Sequence, residues 1–141
     1  MSTIKRILPL RKFLLQPIPE LSPEQVVRIQ LNALRNNDDQ DSGIEAAYAF
    51  ASPANRRSTG PLARFIRMVK NPLYQPMLNY KTVEIGPLRL FNEIAQLKVV
   101  LTTTDGEQIA YIFTLSRQDY GEYMGCWMTD AVHLGADVTD E

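Results

Sequence analysis

The apolar residues of this chain change their period once, at "NPLYQPMLN", residues 71–79. Before that point they recur every three or four positions, and after it at every second position. A helix turns once in 3.6 residues and a strand alternates its faces, so one switch of period predicts a helical half followed by a sheet half. "SPEQ" opens the first helix as a capping box, with Ser22 as cap, Pro23 at the first helical position and Gln25 reaching back. Val27, Leu31 and Leu34 then form an apolar stripe, flanked by Val26 and Ala33, and Gln30 falls inside it. The helix is expected to end in the solvated loop "NNDDQD". A second box, "SGIE" at Ser42 and Glu45, predicts a second helix that buries Ile44, Ala47, Tyr48 and Ala51 and stops at Pro53. A third begins after "STGP", with Leu62, Phe65, Ile66 and Val69 on one side, and ends at Pro72.

Beyond the switch, Val83 and Ile85 mark a first strand and "IAQLKVVLTTT" a second. Asp105-Gly106 is a strong hairpin signal, and "EQIAYIFTLSR" returns antiparallel to it. "QDYGEY" turns again into "MGCWMTDAVHL". Three helices followed by an antiparallel meander predict an α+β fold with the helices on one face of a curved sheet. A chain of 141 residues makes one such domain, expected over residues 21–135, with a basic arm at 1–20 and an acidic tail at 136–141.

Composition excludes several classes. The single cysteine, Cys126, rules out an internal disulfide and points to a reducing compartment, cytoplasmic by expectation. No apolar run approaches the roughly 20 residues that span a bilayer, and Pro9, Arg11 and Lys12 interrupt the stretch a signal peptide would need. No metal-ligand spacing or phosphate-binding glycine loop is present, so no cofactor is expected. Net charge is only −1, yet residues 46–83 carry Arg56, Arg57, Arg64, Arg67, Lys70 and Lys81 without an acid. Residues 1–19 add Lys5, Arg6, Arg11 and Lys12, again without an acid. Segregated charge of this kind describes a surface field rather than a fold.

"SPEQVVRIQLNAL", "AYAFASPANR", "PLARFIRMVKNP" and "GCWMTDAVHL" resemble an uncharacterised family of the nuclear transport factor 2-like (cystatin-like) superfamily, over about residues 20–135. That family occurs in bacteria, including cyanobacteria, and in plastids. The resemblance implies a cone-shaped fold with a pocket between helices and concave sheet, often dimeric through the sheet, in a cytoplasm or plastid stroma. Fold alone assigns no activity.

Enzymes of that superfamily place an acid or histidine base inside the cone. Here His133, the one histidine, reads as a partly exposed strand residue. Glu84 and Asp130 read as solvated strand positions, so no acid–base group converges and catalysis is not expected. Gln30 and Tyr48 on inward helix faces, with Tyr111 and Trp127 on the strands, are the pocket candidates. A buried glutamine must be hydrogen-bonded, either to backbone or to a ligand. Cys126 reads as a small hydrophobe, and Met124 and Met128 as core filler. Ala110 and Ile112 oppose Ile109, Tyr111, Phe113 and Leu115, so both sheet faces carry apolar residues. A covering partner, a second copy or the chain's own arm is expected there. The leading expectation is therefore a binding or docking domain. It would attach to a protein complex or an anionic membrane surface through Lys5, Arg6, Arg11, Lys12, Arg56, Arg57, Arg64 and Arg67. The alternative is a small-molecule protein using the cone pocket. Nucleic acid is an unlikely partner, because no aromatic stacking platform is interleaved with the arginines.

Overall fold

The computed structural model describes residues 16–135, and Lys5, Arg6, Arg11, Lys12 and the acidic tail lie outside the described residues. Among the described residues four helices come first: α1 (Pro23–Arg35), α2 (Ser42–Tyr48), α3 (Pro53–Thr59) and α4 (Leu62–Val69). A 3-10 turn at Gln75–Met77 leads into β1 (Thr82–Ile85), β2 (Arg89–Phe91), β3 (Ile94–Thr102), β4 (Gln108–Arg117) and β5 (Trp127–Leu134). The architecture is α+β, helices followed by an open antiparallel sheet. No helix among the described residues is long and apolar enough to cross a membrane.

The capping box of α1 forms as its sequence predicts. Gln25 N–H donates to the Ser22 hydroxyl at 3.1 Å, and Ser22 N–H to Gln25 Oε1 at 2.8 Å. The second box does not form. Asp41 takes a left-handed backbone (φ 60) as the N-cap of α2, which moves Ser42 inside the helix. The free amides are satisfied from the preceding loop instead. Asn37 Oδ1 accepts from Gly43 and Ile44 N–H, and Asp38 Oδ1 from Ser42 N–H. Pro53 ends nothing by itself. It occupies the first turn of a fourth helix, α3, capped by Ser52, whose hydroxyl accepts from Asn55 N–H. The helical half thus has one helix more than its sequence suggests, and that helix carries Arg56 and Arg57. On α4 only Val69 is buried; Phe65 and Ile66 are half-buried at the edge of the core.

Strands β1 and β2 both pair with β3 along the same edge, at Thr82–Ile85 and Arg89–Phe91, while β4 pairs along the other edge and β5 lies beyond it. Strand β2 went unrecognised in the sequence, since three exposed residues carry no alternation. A five-residue connection, 103–107, joins β3 to β4, with Gly106 at φ +88. Strict alternation buries Ala95, Leu97, Val99 and Leu101 of β3 and Tyr111, Phe113 and Leu115 of β4 under α1 and α2. Each large side chain so buried contributes roughly 1.5–3 kcal/mol.

The outer face is mixed, with Gln96, Lys98, Thr114 and Ser116 beside half-buried Val100 and Ile112. Met128 sits on this face opposite Ser116 yet is fully buried. The chain's own entry covers part of this end: a side chain at Gly125 would meet Pro19 at 3.5 Å. Met124 is no core filler, being 60% exposed. Gly125 (φ 84) breaks the alternation before β5 begins, so Met124 is out of phase with the strand.

Candidate functional site

A cavity of about 220 Å³ lies between the helices and β5. Its walls are apolar, from Leu34 of α1, Phe65, Met68 and Val69 of α4, and Phe113 and Val132 of the sheet. It opens past Ser58 and His133, both exposed.

Two backbone irregularities shape it. Thr114 pairs with Ala131 but Leu115 pairs with Thr129, so Asp130 is an extra residue in β5, a bulge. A bulge reverses the strand's phase and re-aims the side chains within it. Val132, opposite Phe113, therefore joins the inner face, and Asp130 borders the cavity instead of lying on the solvated face expected of it. The α2–α3 linker docks at the same place. Ala51 forms an isolated parallel bridge to Thr129, with Ser52 N–H donating to Thr129 O and Thr129 N–H to Phe50 O, both at 2.8 Å. This pairing also covers part of the outer edge of β5.

Most polar groups of the cavity are spent on one another. Gln30, 5% exposed, donates from Nε2 to the Ala47 carbonyl at 3.0 Å and accepts from the Thr129 hydroxyl at 2.6 Å. Asn55 Nδ2 donates to Thr129 O at 3.0 Å, and the Thr59 hydroxyl donates to Asn55 O at 2.9 Å. The Tyr74 hydroxyl donates to Val132 O at 2.9 Å.

Of the sequence-derived pocket candidates, Gln30 alone borders the cavity, as a cross-link between α1, α2 and β5. Tyr48 packs on Phe65 with ring centroids 4.9 Å apart, and its hydroxyl lies where a side chain at Gly60 would fall. Tyr111 is fully buried and donates to Leu73 O at 2.7 Å; burial, with Tyr74 adding, pushes its hydroxyl up to about 12. Trp127, opposite Arg117 at the start of β5, is half-buried against the core. Burial pushes the Cys126 thiol up as well, with Glu20 adding, which leaves it a poor nucleophile. Among the described residues, no cluster of three or more His, Cys, Asp or Glu is placed to hold a metal.

The basic face divides. Arg56 has an internal role: Nη2 donates to Ala49 O at 2.7 Å and Nε to Ala51 O at 3.0 Å, and the guanidinium stands 5.3 and 5.4 Å from the Tyr48 and Tyr123 ring centroids. It clamps the end of α2. Lys70 pairs with Asp41 at 3.0 Å. Arg57, Arg64 and Arg67 are exposed and form no ion pair within the described residues. Exposed apolar side chains gather elsewhere, on the β2–β3 hairpin at Leu90, Phe91 and Ile94.

Fold and cavity together define a class: a small α+β domain whose helices close over one face of an antiparallel sheet around a pocket. Within that class the chain belongs to the DUF4864 family, a domain of unknown function, whose model matches residues 20–137. No curated protein and no solved structure matches it.

Proposed function

We propose that this domain is a small-molecule binding protein whose ligand occupies the cavity beside β5. The observation that carries this reading is the bulge at Asp130 together with the docked 50–52 linker. Both depart from regular pairing at the wall of a cavity that regular packing would fill. Walls of mixed apolar and polar residues, most of the latter bonded internally, suit a small ligand. A cone-shaped, nuclear transport factor 2-like arrangement agrees with helices closing over the sheet, and the bacterial or plastid setting belongs to the same resemblance. Gln30, Thr129 and Tyr74 are engaged internally, which leaves the apolar walls as the main contact surface for a ligand. Titration with benzyl alcohol, a neutral probe, is expected to give saturable amide shifts at Ala47, Val69 and Val132 that Val132→Phe abolishes by filling the space. Shifts that do not saturate, or that survive the filling, overturn the reading.

A second reading, docking through the basic face, is favoured by Arg57, Arg64 and Arg67, which are exposed without a described acidic partner. Fold stability gives little reason for such a cluster, whereas an anionic surface attracts it by about 1 kcal/mol per basic residue. With Lys5, Arg6, Arg11 and Lys12, these three would form the docking surface. R64E/R67E is expected to leave the melting temperature unchanged while removing low-salt sedimentation with phosphatidylserine vesicles. Sedimentation that survives both this reversal and deletion of residues 1–19 refutes it.

A further inference from the structure

The charge pattern of the cavity narrows its ligand, on the reading that the cavity is a binding site. Its one acidic wall residue is Asp130, and its walls contain no lysine or arginine. Asp130 is half-buried, and its carboxylate accepts no hydrogen bond from a described residue. The other polar groups of the walls are bonded elsewhere: Asn55 Nδ2 donates to Thr129 O and the Thr59 hydroxyl to Asn55 O. Ser58 and His133, both exposed, also line the cavity. A carboxylate beside an apolar wall gains most from a charged donor, and repels an anion.

We infer that the cavity takes a small apolar molecule carrying a protonated amine, with its ammonium group on Asp130 and its apolar body against Phe65, Val69 and Phe113. A cavity of about 220 Å³, against the roughly 150 Å³ that takes a benzene ring, has room for one ring or a short branched chain.

Three probes of one size separate the possibilities: benzylamine, benzyl alcohol and benzoate, titrated near neutral pH at low salt and followed by amide shifts. Benzylamine is expected to bind at least about tenfold more tightly than benzyl alcohol, since a hydrogen bond to a charged group carries that much, and benzoate to bind weakest. Asp130→Asn should erase the benzylamine advantage while leaving benzyl alcohol unchanged. Ser58→Lys, a second variant at the opening, should turn the preference toward benzoate. Equal binding of benzylamine and benzyl alcohol, or an advantage that survives Asp130→Asn in a folded variant, overturns the amine assignment and leaves the cavity reading standing. No saturable shift with any of the three overturns the cavity reading and this inference with it.

Discussion

Gln30 and Thr129 are 99 residues apart and meet through one buried hydrogen bond, so a double-mutant cycle on them tests the junction that shapes the cavity. Gln30→Met keeps the side chain's length and removes its polar end. It breaks the bond to Ala47 O, which keeps the Phe50 N–H as a partner, and the bond from the Thr129 hydroxyl, which is left without one. A lost bond costs about 0.5–1.5 kcal/mol and an orphaned buried group about 1–3 kcal/mol, so the single variant should lose about 2–4 kcal/mol. Thr129→Val orphans only Gln30 Oε1 and should lose about 1–3 kcal/mol. In the double variant the two sites meet as apolar surfaces, and only the bond to Ala47 O, which keeps its Phe50 N–H partner, is missing. Its loss should then be about 0.5–1.5 kcal/mol, well short of the sum, with a coupling of at least about 1.5 kcal/mol. Urea unfolding with an unchanged m-value measures all three. At about 4 °C per kcal/mol for a domain of this size, Gln30→Met alone should lower the melting temperature by about 8–16 °C. Additive losses would mean that the two side chains do not meet, and the account of the cavity wall would fail with them.

Arg56→Lys should destabilise by about 1–3 kcal/mol in thermal melts, because an ammonium cannot serve two carbonyls and two ring faces at once, while Arg57→Lys should change stability by less than about 0.5 kcal/mol. Gly43→Ala would drive a methyl into the Ala33 carbonyl oxygen and should cost more than about 2 kcal/mol by chemical denaturation, whereas Gly106→Ala meets nothing and carries only the cost of its positive φ, about 1 kcal/mol. Tyr111 holds its proton more tightly folded than unfolded, so its contribution is complete below about pH 10 and is lost as pH rises toward about 12, at most roughly 3 kcal/mol in all. Tyr80, also pushed up by burial, acts in the same direction. In alkaline denaturation Tyr111→Phe should flatten that fall; an unchanged slope would show that another group titrates.

What the sequence made legible is what neighbours in sequence decide. The Ser22–Gln25 box, the stripe Val27, Leu31 and Leu34, and the alternation of β3 and β4 all appear where their residues predict them. The failures share a different cause. "SGIE" meets the local requirement of a cap, but Asn37 and Asp38 from the previous loop supply the acceptors and shift the start by one residue. Pro53 is compatible both with the stop of one helix and with the first turn of the next, and only Ser52 accepting from Asn55 N–H decides between them. Arg56 reads as a surface charge until the carbonyls of Ala49 and Ala51 turn toward it.

The candidate site concentrates such non-local decisions. Read by strict alternation, "TDAVHL" puts Thr129 and Ala131 inside and Asp130 and Val132 outside. Nothing in those six residues signals that Leu115 will pair one position early. The bulge arises from the partners on either side of β5: β4 sets the register from Tyr111 to Thr114, while the 50–52 linker bonds Thr129 from the other edge. Gln30 then fixes Thr129 from below through its hydroxyl. Three segments far apart in sequence thus hold one residue, and the slack between that residue and the regular strand is taken up at Asp130. The Asp130 carboxylate is thus placed by three non-local contacts to Thr129 while accepting no hydrogen bond from a described residue, which is why the proposed amine test turns on Asp130→Asn.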